Sequence, residues 1–252
     1  MNLIRSISAW LTGIIFLVLF FPVTLVAWLV ALPFDPGRKT VHRLIILQTR
    51  LIMTLMPVAK LKIEGREKAT KGSTYVIISN HQSLLDILVI NCLGYNFRWI
   101  SKIENSAVPF LGWYLKMAGY ITVDRNNDES KAIMLAKAYN SLRNGTSVMI
   151  FPEGTRINGE QPGYFKRGAF QLAIEAKVPI LPVILDGTGN ILPKHGIIVK
   201  GRNNILIRVL DPVEHSSFGT DDPEKLAARF RNIMSSELMK LRTKNISHGN
   251  ES

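Results

Sequence analysis

Cysteine is nearly absent from this chain of 252 residues, which contains only Cys92. One cysteine excludes an intrachain disulfide and does not favour secretion, and its place in an apolar run, residues 87–93, indicates a small buried hydrophobe. The scattered histidines lack the close spacing of zinc ligands, so no metal is expected. They include His42, His195, His215 and His248. A Gly-x-Ser-x-Gly motif is also missing, which disfavours a serine hydrolase.

Long blocks of like charge are missing too, although Lys and Arg outnumber Asp and Glu and give a net charge of +12. The basic residues are spread along the chain, without a zinc-finger spacing, an RNP-like aromatic pattern or a basic heptad region. We therefore expect no nucleic-acid partner. Anionic lipid headgroups and an anionic substrate explain the positive charge equally well.

One long apolar segment stands out at residues 9–32, which carry no charge. It exceeds the ~20 residues that cross a bilayer core and is longer than the ~7 to 15 apolar residues of a signal peptide. Trp10 and Trp28 lie near its ends, as interfacial anchors do. Because Pro22 interrupts the run, it is either a kinked helix that crosses the bilayer, which we favour, or a hairpin of two half-helices in one leaflet.

Basic residues follow this apolar segment more often than they precede it. By the positive-inside bias, the chain after the segment then lies on the cytoplasmic face of the membrane. Residues 44–56 predict a second, partly amphipathic helix that lies either against the membrane or against the main domain. We assign residues 1–59 to a membrane-associated helical region. The basic residues that set the orientation are Arg38, Lys39, Arg43 and Arg50, against Arg5 alone before the segment.

Beyond residue 60, apolar strand-like runs alternate with helical segments, a pattern that predicts an α/β fold with a layered β-sheet and flanking helices. Asn127 or Asp128 is expected to cap a helix that stops at Gly145, and Asp222 begins a terminal helix that ends at Leu241. The catalytic domain is predicted at residues 60–243 and a disordered tail at 244–252. The predicted strands are residues 61–64, 74–79, 97–101, 120–123, 146–151, 180–185 and 205–210.

His81 and Asp86 lie where the predicted strand 74–79 gives way to a helical run. In α/β folds, chemistry is concentrated at strand ends. If both residues were on one helix, their spacing of five positions would make the two side chains point in different directions. Their pairing therefore requires His81 in the loop and Asp86 in the first turns of the helix. Asp86 can then accept the proton of one imidazole nitrogen, and the other nitrogen can take a proton from a substrate hydroxyl. The sequence thus predicts a general base without an enzymic nucleophile.

A second polar cluster follows the predicted strand 146–151. Gly154 permits a tight turn there, and the planar guanidinium of Arg156 suits a phosphate group. The alternative is a surface loop with an ion pair between Glu153 and Arg156. Two other predicted strands end in basic residues, Lys102 and Arg125, which would add to a shared anion pocket.

Four segments, residues 80–86, 119–125, 151–156 and 178–183, resemble in that order the four motifs of the glycerolipid acyltransferases. The resemblance extends over roughly residues 60–210. It implies transfer of a fatty acyl group from acyl-CoA or acyl carrier protein to the sn-2 hydroxyl of 1-acyl-sn-glycerol-3-phosphate, giving phosphatidic acid. No cofactor beyond the acyl donor is implied. The alternatives are an acyltransferase for another lysolipid or for glycerol-3-phosphate, and a non-catalytic lipid-binding membrane protein.

The same resemblance assigns roles to individual residues. It implies that His81 is the base and Asp86 its partner. A Ser or Thr, common in the family after the arginine of the third motif, is replaced here by Ile157, which removes one local polar contact. The residues implied in binding the acceptor phosphate are Glu153, Gly154, Thr155, Arg156 and Arg125, with Lys102 and Lys166 as further candidates.

Overall fold

A computed structural model describes residues 2–55, 59–157, 159, 161–200 and 203–249 of the chain, without the side chains of residues 203 and 244–249. Helices and strands alternate through most of it, as the sequence predicts. The helices are α1 Asn2–Ala31, α2 Lys39–Leu55, α3 Leu85–Asn91, α4 Leu111–Met117, α5 Asp128–Arg143, α6 Gly168–Ala176, α7 Thr188–Ile191 and α8 Pro223–Gly249. The strands are β1 Ala59–Glu64, β2 Val76–Ser79, β3 Phe97–Lys102, β4 Ile121–Val123, β5 Ser147–Ile150, β6 Ile180–Asp186 and β7 Asn203–Val209.

The strands form a seven-stranded sheet in the order β1-β7-β6-β2-β5-β3-β4. All seven predicted strands are confirmed. Every neighbouring pair is parallel except β6 and β7, which are antiparallel. The carboxyl ends of β2, β3, β4 and β5 therefore meet at one edge of the sheet, where α/β proteins place their sites.

Helices cover both faces of the sheet, as expected for strands that are apolar on both sides. On one face, Ile77 of β2 packs with Val89 of α3, Ile52 of α2 and Ala9 of α1. Side chains of β2 that point the other way pack against α5, α6 and α8. The layered α/β architecture predicted from the sequence is confirmed.

Helix α1 is long and apolar enough to cross a membrane, by length and composition. It continues through Pro22 as one helix, so the predicted hairpin of two half-helices is not formed. Its inner side contacts the rest of the protein from end to end. Ser6 accepts a hydrogen bond from the backbone of Val199, and Trp28 lies beneath the guanidinium of Arg38. Its outer side exposes a row of large apolar residues.

Helix α2 packs between α1 and α3 and leaves Leu47, Leu51 and Leu55 exposed on its outer side. The predicted end at residue 56 lies outside the described residues. His42 of α2 is buried, and its Nε2 lies 2.9 Å from the carbonyl oxygen of Tyr95 while its Nδ1 lies 2.7 Å from the hydroxyl of Tyr120. A carbonyl can only accept, so Nε2 carries the proton and Nδ1 accepts from Tyr120. Burial lowers the pKa of His42 to about 4, which keeps the ring neutral.

Helices α5 and α8 begin where the sequence predicts. The side chain of Asn127 accepts a hydrogen bond from the backbone nitrogen of Ser130 and so caps α5. Helix α8 begins at Pro223 and extends to Gly249, past the predicted end at Leu241. The reason is that residues 242–248 contain no Gly or Pro to stop it.

Candidate active site

His81 and Asp86 meet as the sequence predicts. His81 lies in the loop after β2, Asp86 lies in the first turn of α3, and the imidazole Nδ1 is 2.7 Å from Oδ2 of the carboxylate. The same Oδ2 accepts hydrogen bonds from the backbone nitrogens of Gln82 at 2.7 Å and Ser83 at 2.9 Å. Asp86 is fully buried. All three donors meet Oδ2, whereas Oδ1 is buried and has no hydrogen-bond partner among the described residues.

Asp86 accepts a hydrogen bond from Nδ1–H, which selects the tautomer in which Nε2 of the imidazole carries no proton. Among the described residues, no group forms a hydrogen bond to this Nε2. The His81 side chain is 14% exposed, so the free nitrogen is open to a bound molecule while most of the ring is shielded. The pair has the arrangement of a general base with an orienting carboxylate.

Asn80 fixes the loop that carries His81. Its side-chain nitrogen donates to the carbonyl oxygen of Leu185 at 2.8 Å, and its side-chain oxygen accepts from the Leu185 backbone nitrogen at 2.9 Å. The buried side-chain amide thus forms the two hydrogen bonds to β6 that the backbone of a neighbouring strand would form, one residue beyond the end of β2. This double contact sets where the chain turns toward His81.

Glu153, which the family resemblance implies in phosphate binding, is buried against the His81 loop. Its carboxylate is buried and accepts hydrogen bonds from the backbone nitrogens of His81 at 2.8 Å and Gly163 at 2.9 Å. Burial raises its pKa, and these two hydrogen bonds oppose the rise. An ion pair with Arg156 is also not formed. Glu153 joins three loops and supports His81 from behind.

Gly154, Arg125 and Lys166 come together next to Glu153. Gly154 has φ +68°, a conformation that disfavours side chains, and a Cβ atom added there would lie 3.1 Å from Cε and Nζ of Lys166. Arg125 donates a short hydrogen bond to the carbonyl oxygen of Gly154. Burial lowers the pKa of Arg125, and the nearby carboxylate of Glu104 opposes this effect. Arg125, which follows β4, and Lys166, which precedes α6, therefore bring two cationic groups to this turn.

Arg156 lies close to the catalytic loop because the backbone nitrogen of Ile157 donates to the carbonyl oxygen of His81 at 2.8 Å. Within the described part of the chain, its half-buried guanidinium has no hydrogen-bond or ion-pair partner. Thr155 is exposed in the same turn. Lys102, in contrast, is exposed and forms an ion pair with Glu104, so it contributes less free positive charge than the sequence implied.

Sequence reasoning missed a cavity of about 400 Å³ between the N-terminal helices and the sheet. It is strongly apolar, and its wall includes Leu84 and Leu85, the residues that precede Asp86. The wall combines segments that lie far apart in the sequence, so no local pattern reveals it. Its other lining residues include Ala9 and Gly13 of α1, Thr49 and Ile52 of α2, and Trp99 of β3.

Metal-binding groups are not part of this arrangement. In the described segments, no three His, Cys, Asp or Glu side chains converge closely enough to hold a metal ion.

Comparisons with known proteins show the family of the chain. The sequence pattern of the Acyltransferase family matches residues 60–186, which include the His81 and Arg156 loops. A 1-acyl-sn-glycerol-3-phosphate acyltransferase of Arabidopsis thaliana chloroplasts is 35% identical over 184 residues, which are 73% of this chain and 51% of that protein. The enzyme of the same name from Escherichia coli is 32% identical over 192 residues, 74% of this chain and 77% of that protein.

The chain spans about half the length of the two chloroplast relatives. The crystal structure of the 1-acyl-sn-glycerophosphate acyltransferase of Thermotoga maritima superposes with a TM-score of 0.83, at 24% identity and over 96% of each chain, and shows that the fold is shared. With its family pattern over half of its length and relatives above 30% identity, the chain belongs to the Acyltransferase family.

Proposed function

We propose that this protein is a 1-acylglycerol-3-phosphate O-acyltransferase, which moves a fatty acyl group from an acyl thioester to the sn-2 hydroxyl of 1-acyl-sn-glycerol-3-phosphate. The observation that carries the proposal is the His81–Asp86 pair, whose loop is hydrogen-bonded to the segment that carries Arg156 and is followed by two residues that line an apolar cavity, Leu84 and Leu85. A substrate with a hydroxyl, a phosphate and a long acyl chain matches these three features. The product is phosphatidic acid.

The proposed reaction follows from the two ring nitrogens of His81, of which Nδ1 carries a proton and Nε2 does not. Nε2 of His81 removes the proton of the acceptor hydroxyl while that oxygen attacks the thioester carbonyl. The C–S bond then breaks, and the departing thiolate of coenzyme A or acyl carrier protein takes the proton from the imidazolium. Asp86 stabilises the imidazolium through Nδ1 and does not itself become protonated. The transfer needs no covalent acyl-enzyme.

Recognition of the acceptor phosphate is assigned to the cationic side of the site. Arg156 is supported in this role by its planar fork of donors, which the described residues leave unused. Lys166 and Arg125 add positive charge at the adjacent turn. Glu153 acts indirectly through the loops that it joins, because a buried carboxylate next to a phosphate would repel it.

The apolar cavity is the proposed site of the acyl chain. Leu84 and Leu85 of its wall directly precede Asp86 in the chain, which supports this assignment. Burial of each CH₂ group contributes about 0.8 kcal/mol, so a long chain gains much of its binding energy in such a cavity.

Attachment to the membrane is assigned to α1. Its contacts from Ser6 to Trp28 support an arrangement in which the helix lies in one leaflet beside the catalytic domain, in preference to the crossing that we favoured from the sequence. A crossing helix with these contacts would draw the domain into the bilayer. The net charge of +12 suits the anionic lipids of the cytoplasmic leaflet and so supports the cytoplasmic face.

One assay tests the proposed function. Purified full-length protein in lipid–detergent micelles is incubated with an acyl thioester of coenzyme A or of acyl carrier protein and with one of three acceptors: lysophosphatidic acid, glycerol-3-phosphate or lysophosphatidylcholine. We expect phosphatidic acid from the first acceptor and none from the His81→Ala variant. Preferential use of another acceptor would assign a sister acyltransferase. Lipid binding without transfer to any acceptor would favour a non-catalytic lipid-binding protein.

A further inference from the structure

The imidazole of His81 lies flat against the phenyl ring of Phe151. The two ring centroids are 3.9 Å apart and the ring planes differ by 8°. Phe151 also contacts Trp99, with 5.5 Å between centroids and an angle of 31°. Trp99 is buried, and its Nε1 donates a hydrogen bond to Oδ1 of Asn91 at 3.1 Å. The aromatic surface behind the histidine is therefore itself fixed by the core.

His81 needs such a neighbour because it lies in a loop, where no helix or strand restricts its side chain. The hydrogen bond to Asp86 fixes the position of Nδ1 but still allows the ring plane to tilt about that contact. A tilt would move Nε2, the atom that meets the hydroxyl proton. The phenyl ring of Phe151, packed at van der Waals distance, opposes a tilt of the imidazole because the tilt would break the stacked contact.

We propose that Phe151 is a positioning residue for the acyl transfer, an inference that rests on the proposed function. Asp86 holds one edge of the imidazole and Phe151 holds its face, so that together they aim Nε2 at the acceptor hydroxyl. Phe151 touches neither the phosphate nor the thioester in this assignment. Its loss should therefore change the rate of the chemical step and leave substrate affinity unchanged.

The test compares two substitutions that remove the flat ring, Phe151→Leu and Phe151→Met, with Phe151→Tyr, which retains it. Small displacements of reacting groups cost up to ~100-fold in rate, so we expect kcat to fall about 10- to 100-fold for Leu and Met with little change in KM for either substrate. Tyr should keep most of the wild-type kcat. Phe230→Leu, in the distant contact between α6 and α8, is the matched control and should lower thermal stability without lowering kcat.

A second measurement reports on the stack without using activity. In wild-type protein with isotopically labelled histidine, the ring current of Phe151 should shift the His81 imidazole protons upfield, with His81→Ala identifying their signals. The Leu and Met variants should lose this shift, and Tyr should retain it. Loss of the shift with wild-type kcat, or an unchanged shift in the Leu variant, would overturn the inference. If wild-type protein acylates no acceptor, the proposed function fails, whereas the proton shifts still decide whether the stack exists.

Discussion

Nδ1 of His81 and Oδ2 of Asp86 are 2.7 Å apart although their residues are five positions apart in the sequence and only Asp86 is helical. The contact depends on the turn between β2 and α3, which brings the end of a strand back over the first turn of a helix. It gives the imidazole a defined tautomer, with Nε2 available as a base.

Replacement of His81 by alanine should abolish turnover while acceptor binding persists. Loss of a general base typically lowers rates by ~10² to 10⁴, and His81 contributes little to holding the phosphate. The measurement is kcat for phosphatidic acid formation together with the Kd of lysophosphatidic acid. Substantial wild-type activity in purified His81→Ala protein would contradict the assigned mechanism.

Replacement of Asp86 by asparagine should lower kcat by about 10²- to 10⁴-fold, because an amide cannot stabilise the imidazolium and no longer enforces the tautomer. The backbone donors of Gln82 and Ser83 would lose their charged acceptor, so the melting temperature should also fall. Asp211→Asn is the control, since Asp211 is an exposed acid paired with Lys68. Equal kcat values for the Asp86→Asn and wild-type proteins would remove Asp86 from the catalytic pair.

Replacement of Arg156 by alanine should lower kcat/KM for lysophosphatidic acid by at least ~10-fold, because a hydrogen bond to a charged group contributes roughly 1.5 to 3 kcal/mol. The donor KM should change far less. Arg143→Ala, at the exposed end of α5 and remote from the site, should change neither constant. An acceptor without phosphate should show a smaller defect with Arg156→Ala. If Arg156→Ala lowers kcat/KM equally for the acceptors with and without phosphate, Arg156 does not bind the phosphate.

The full-length protein should stay with membranes after a high-salt wash, since salt screens charge but not the apolar burial of α1. Removal of residues 1–59 should weaken the attachment and, by opening the apolar cavity, promote aggregation. Sedimentation with lipid vesicles at low and high salt measures this. Release of the intact chain by salt alone would show that basic residues, and not α1, hold it.

Acidification should destabilise the protein through His42. Its pKa is about 4 in the folded protein and about 6.5 in an unfolded chain, so the unfolded state binds a proton first as the pH falls. The stabilisation is complete above about pH 6.5 and is lost between about pH 6.5 and 4, at a total of up to about 3 kcal/mol.

Thermal unfolding across this pH range tests the role of His42. His42→Gln should show a flatter pH dependence than the wild type, while His195→Gln, which alters an exposed histidine, should not. Carboxyl groups titrate in all three proteins, so their effect cancels in the comparison. Identical slopes for the wild type and His42→Gln would mean that His42 does not limit stability in acid.

The sequence was sufficient for features that depend on local pattern. Apolar runs bounded by polar residues predicted all seven strands, and a histidine at a strand end with a carboxylate in the next helix predicted the contact between His81 and Asp86. The bracing role of Glu153 was not predictable, because its hydrogen-bond donors, His81 and Gly163, are remote from it in the sequence. The motif alone could not distinguish a carboxylate that supports a loop from one that lines a pocket.

Helix α1 has two sides with different neighbours. Ala9 and Leu17 face the cavity, whereas Leu19 and Val26 are exposed on the opposite side. The two sides can therefore be altered separately. Under the proposed function, substitutions at cavity-facing positions would change which acyl chains fit, whereas substitutions at exposed positions would change the contact with the bilayer and leave the cavity intact.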